Sequence, residues 1–79
     1  MTIEFTTDQW TQQSPDVFIA MLTIDEALDK PLMQVFKYGD PETKLIIGLI
    51  IPKILSYIVP NNMIMIQYHE PFSGYVVAI

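Results

Sequence analysis

Residues 44–60 read KLIIGLIIPKILSYIVP, and no other stretch constrains this chain as much. A run this apolar has to lie in lipid, in a core or against a partner, because its exposure to water is unfavourable along its whole length. A single membrane span needs about 20 mostly apolar residues. Residues 45–59 fall short of that and hold Pro52 and Lys53 inside, so a spanning helix is not expected. Projected at helical spacing, Lys44, Gly48, Pro52, Lys53 and Ser56 share one half-turn. Ile46, Ile47, Ile50, Ile51, Ile54, Tyr57 and Ile58 occupy the opposite arc. That segregation predicts an amphipathic helix over 44–59. Two objections stand against it. Isoleucine prefers strands, and a proline inside a helix costs about 3 kcal/mol. A kink, or two short helices meeting at Pro52, answers the second. Read as strands, the run is apolar on both faces, and its turn would have to be Pro52-Lys53, which lacks the positive-φ residue short hairpins favour.

The segments around it are marked by six prolines and three glycines. TIEFT, residues 2–6, alternates, with Ile3 and Phe5 on one face of an expected strand. Thr6 and Gln9 have capping-box spacing, which suggests a short helical turn over 7–12. Ser14-Pro15-Asp16 has the order of a helix start, with a capping hydroxyl, a proline for the first position and an acid for the positive end of the dipole. A helix to about Asp29 is expected from it, stopped by Pro31, with Val17, Met21, Ile24 and Leu28 as its core stripe. LMQVFKY, 32–38, is expected as a strand, and Asp40-Pro41-Glu42 repeats the helix-start order before the isoleucine run. PNN, 60–62, reads as a turn. MIMIQY, 63–68, reads as a strand with Ile64, Ile66 and Tyr68 on one face. HEPFSG reads as a loop and YVVAI as a final strand. The expected fold is therefore α+β: one small single-domain sandwich over 1–79, in the order strand, helix, strand, helix, strand, strand. An N-terminal helix followed by an antiparallel β-meander is the alternative.

Charge and chemistry narrow the function. Residues 1–42 hold eight of the nine acids and two lysines, a net −6, while residues 43–79 hold one acid and two lysines, a net +1. With no arginine and an overall charge of −5, direct nucleic-acid binding is not expected, because phosphate contacts need matched cations. The chain has no cysteine, so disulfides and thiolate metal sites are excluded. His69 and Glu70 are neighbours, too few to make a metal site and pointed apart if extended. Asp25, Glu26 and Asp29 lack the spacing of a calcium loop. No nucleophile with a base, and no glycine-rich phosphate cradle, can be nominated. No enzyme activity and no cofactor are therefore expected. The N-terminus has neither a basic nor an apolar leader region, so a cytoplasmic, soluble protein is expected.

What is left is contact. The first expectation is a small acidic protein-binding module that acts as an inhibitor, occupying a larger partner with a basic surface. A phage-encoded blocker of a bacterial defence or nucleic-acid enzyme is one such protein. The viral attribution is a prior about small proteins and not a reading of residues. Phe18, Leu22, Asp25, Glu26 and Asp29 are the expected partner contacts, with Trp10 as an aromatic anchor. The alternative is a structural, self-assembling homodimer subunit built on residues 44–59. Leu45, Leu49 and Leu55 would face outward there, with Met63 and Met65 beside them as the oligomer interface. A third reading lays 44–59 in a membrane surface.

Overall fold

Alternating apolar and polar residues decide the fold strand by strand. The computed structural model describes residues 1–29, 31–40 and 42–79. Among them the chain forms eight strands: β1 (Thr2–Phe5), β2 (Trp10–Ser14), β3 (Val17–Thr23), β4 (Met33–Asp40), β5 (Leu45–Ile50), β6 (Ile54–Ile58), β7 (Met63–Tyr68) and β8 (Gly74–Ala78). They make two four-stranded sheets, β1-β8-β4-β5 and β2-β3-β7-β6. Every neighbouring pair is antiparallel. Among the described residues, helix is confined to two 3-10 turns, Thr7–Gln9 and Val59–Asn61. The α+β expectation is overturned, and with it the alternative that begins on a helix. The molecule is a β sandwich.

The helix expected from Ser14 to Asp29 is a hairpin followed by a loop. Ser14 pairs with Val17, and Pro15-Asp16 is the turn between β2 and β3. Proline with fixed φ beside an aspartate suits the first positions of a β-turn as well as it suits a helix start. The residues after the turn decide between them. In VFIAMLT, Ala20 and Leu22 are buried, Phe18 is half-buried on the same face, and Met21 and Thr23 are exposed, which is period two. The helix expected over 44–59 is likewise two strands, β5 and β6. Isoleucine's β preference prevails, and Pro52 sits between the strands, where it breaks no ladder. The hairpin objection fails because β5 and β6 do not pair with each other. They belong to different sheets, and residues 51–53 carry the chain around the corner between them. Of the Asp40-Pro41-Glu42 helix start, Pro41 lies outside the described residues. The Glu42 amide donates to Asp40 Oδ1 at 3.0 Å.

The core lies between the sheets. Phe5, Val35 and Val76 of the first sheet meet Ala20, Leu22, Ile64 and Ile66 of the second, with Ile24 and Phe72 from the loops. Full burial of a large aliphatic or phenyl side chain is worth about 1.5–3 kcal/mol. Gly74 allows close approach of β8 to β4, because a Cβ there would lie 1.9 Å from the Phe36 carbonyl oxygen. A polar latch holds the 24–28 loop as it crosses between sheets. Asn62, in the left-handed region at φ 51°, donates from Nδ2 to the Ile24 carbonyl at 2.7 Å and accepts from the Tyr57 hydroxyl at 2.6 Å. The Tyr57 oxygen in turn accepts the Leu28 amide at 3.0 Å.

Candidate functional site

The residue types that could carry chemistry are dispersed. His69 and Glu70 are exposed, with His69 Nε2 at 3.9 Å from the Glu70 carboxylate, which also lies 3.5 Å from Lys37 Nζ. Among the described residues no group of three or more His, Asp or Glu side chains is gathered to hold a metal. Nor is any helix among them long and apolar enough to cross a membrane.

The expected partner contacts separate by polarity. Asp25, Glu26 and Asp29 are exposed in the loop between β3 and β4. Leu22 is buried in the core, so it has no surface to offer a partner. Trp10 is turned inward: its indole N–H donates to the Phe72 carbonyl at 2.8 Å, and its ring lies 5.8 Å from Phe5 and 5.1 Å from Phe72. With its N–H satisfied and its ring packed on Phe5 and Phe72, the half-buried indole does not project from the surface as the sequence expectation has it. Phe18 is half-buried opposite Tyr68 on the inward face of the second sheet.

The expected oligomer residues also divide. Leu55 is half-buried against the core. Met63 and Met65 are half-buried on the outer face of the second sheet, since their neighbours Ile64 and Ile66 point inward. Leu45 and Leu49 stand apart from these three, on the edge strand β5. There they are joined by isoleucines that helical projection assigns to a buried arc. Leu45, Ile46, Ile47, Leu49 and Ile51 are 65%, 50%, 64%, 53% and 85% exposed. Ile46, Ile47 and Ile51 are the members that sequence reasoning missed. Their signal was present in the strand reading, in which the run is apolar on both faces.

The backbone explains why this edge stays open. β5 pairs with β4 on one side and, among the described residues, has no partner on the other. The register shifts on either side of Tyr38, so that Ile47 and Gly39 are each left unpaired between Lys37↔Gly48 and Asp40↔Leu45. Gly48 sits at φ +152°, in a region that favours glycine. These bulges twist the edge and interrupt its ladder. Beyond Ile50 the sheets part, and Met33, Val35, Leu49, Ile50, Pro52 and Leu55 line an apolar groove of about 270 Å³ beside Ile51.

An ion pair ties the beginning of β5 to the far edge of its sheet. Lys44 Nζ lies 2.9 and 3.0 Å from the two Glu4 oxygens, and the Tyr38 hydroxyl donates to Glu4 at 3.3 Å. The Lys44 hydrogen bond holds the Glu4 carboxyl below its ordinary value, and Glu4 raises Lys44 in return. Tyr38 is pushed up by desolvation and by the Glu4 charge. Phe36 stacks on Tyr75 at 5.0 Å beside this group.

Compared with family models, with curated proteins and with solved structures, the chain matches none. The arrangement defines a class by geometry alone: a small β sandwich with large aliphatic side chains exposed along one edge strand.

Proposed function

We propose that this protein acts by contact, as a protein-binding module whose docking surface is the apolar corner formed by β5 and Ile51. The observation that carries this reading is the exposure of Leu45, Ile46, Ile47, Leu49 and Ile51 along one edge strand and the corner that follows it. Scattered apolar residues on a surface are ordinary, but a contiguous run of large aliphatics is the mark of an interface. A photo-cross-linking residue at position 49 tests it. An adduct with another polypeptide, a second copy included, is expected, while the same residue at Thr11 on the opposite edge of the other sheet gives none. No adduct from position 49 at any concentration would remove the reading.

A second contact reading is supported by the loop after β3. Asp25, Glu26 and Asp29 are all exposed, and no ion pair among the described residues includes them. Such a loop would steer the protein toward a larger partner with a basic surface, as a cytoplasmic inhibitor would require. Capture of a basic protein that weakens with salt, and is lost in Asp25→Lys with Asp29→Lys, is the expected outcome. Capture indifferent to both would remove the acidic loop from consideration.

A further inference from the structure

We infer that the β5 corner is covered by a second copy of this chain, in a closed two-fold dimer. The inference rests on reading the corner as a contact surface, and it names the occupant.

Charge favours a second copy in the first place. Two molecules that each carry −5 repel over most approaches. From Thr43 to His69 the sequence has no acid, so corner against corner brings no carboxylate from either run opposite another. Lys44 at one end is already paired with Glu4 at 2.9 Å. A basic partner finds no attraction in this run. A second copy presents the same acid-free aliphatic surface, with Lys53 exposed at its end between Ile51 and Ile54, and a two-fold interface requires such a self-complementary patch.

Area and closure favour it as well. The exposed parts of Leu45, Ile46, Ile47, Leu49, Ile51 and the 38% exposed Ile54 amount to roughly 600 Å² per copy, so a pair buries at most about 1,200 Å² through them, the lower end of the range of stable interfaces. An open, regular edge would add strands without limit, but the unpaired Ile47 and the positive φ of Gly48 interrupt this ladder. Side-chain packing around a two-fold axis satisfies the corner and stops at two copies.

Sedimentation equilibrium reads the result directly. The wild-type chain is expected at twice its 9.1 kDa mass, equally at low and high salt. Leu49→Asp with Ile51→Asp should raise the dimer dissociation constant about 100-fold or more and sediment as a monomer, while Asp25→Lys with Asp29→Lys stays dimeric. Should the first variant fail to fold, isotope-filtered NOEs on mixed labelled and unlabelled wild type give the answer without mutation. Intermolecular cross-peaks are expected on the methyls of Leu45, Ile46, Ile47, Leu49 and Ile51. A wild type that is monomeric at every attainable concentration overturns the inference. So does a dimer whose cross-peaks lie only elsewhere, or flotation of the chain with phosphatidylcholine–phosphatidylglycerol vesicles. An adduct from position 49 with a different protein, together with a monomeric wild type, would overturn this inference and leave the contact reading standing.

Discussion

Strands β5 and β7 are both six residues long and both rich in isoleucine, LIIGLI against MIMIQY, yet they have opposite fates. β7 is flanked by β3 and β6, and Ile64 and Ile66 are fully buried. β5 has one neighbour, and none of its residues is buried. Hydrophobicity alone does not assign a strand to the core; its rank within the sheet does. A central strand hides one face against the opposite sheet and both backbone edges in ladders. An edge strand that curls away at a corner hides little of either.

The largest test of that contrast is truncation. Ile66→Ala should cost about 2–5 kcal/mol in chemical denaturation, whereas Ile51→Ala, measured where the chain is monomeric, should stay within about 0.5 kcal/mol. Equal costs would mean that the corner is part of the core. Next is the close approach beside β7's counterpart in the first sheet. Gly74→Ala drives a Cβ onto the Phe36 carbonyl and should cost about 2–4 kcal/mol, with thermal unfolding as the readout. Gly48→Ala has open space at the Cβ and only the φ of +152° against it, so its cost should be smaller. Asn62→Ala removes the latch and leaves a side chain with Cβ in the left-handed region. A loss of roughly 2 kcal/mol is expected, with faster amide exchange at Leu28 than in β7.

The smallest effect is electrostatic and belongs to the β5 end of the comparison. Glu4 is depressed by Lys44, so its contribution is present above the ordinary carboxylate range and is lost as pH falls through its lowered value. Lys44 is raised by Glu4, so its share persists at neutral pH and is lost only as pH rises through that raised value. Acid titration of Glu4→Gln should therefore flatten the low-pH limb of stability slightly, and high salt should erase the difference in the parent chain. An unchanged acid limb in the variant would show that the pair contributes nothing in solution.

Half of the strands were legible. The alternation of Ile3 and Phe5 in β1 and of Ile64 and Ile66 in β7, and the composition of the strand expected over 32–38 and of the last strand, agree with the structure, as does the turn before Asn62. The failures share one cause. Pro-Asp after serine satisfies a helix start and a β-turn equally, so Ser14-Pro15-Asp16 could not choose between them without VFIAMLT being read at period two. The isoleucine run segregates on a helical wheel by coincidence, and rejecting strands there assumed that adjacent strands must pair. Once β5 and β6 are allowed to enter different sheets, the Pro52-Lys53 connection needs no hairpin geometry at all. The same assumption misplaced the site, because it sent Ile46, Ile47 and Ile51 inward and left Leu45, Leu49 and Leu55, with Met63 and Met65, for a partner. Leu22 was misplaced for the complementary reason: a residue of an expected helix lies on the inner face of a sheet.

The central claim is that solvent does not keep the β5 corner. A soluble paramagnetic cosolute, added to methyl-labelled protein at micromolar and at millimolar concentration, tests it most directly. Strong broadening of the Ile46, Ile47 and Ile51 methyls is predicted in the dilute sample and shielding in the concentrated one, with Ile64 and Ile66 sharp in both. Corner methyls broadened to the same extent at both concentrations would contradict it.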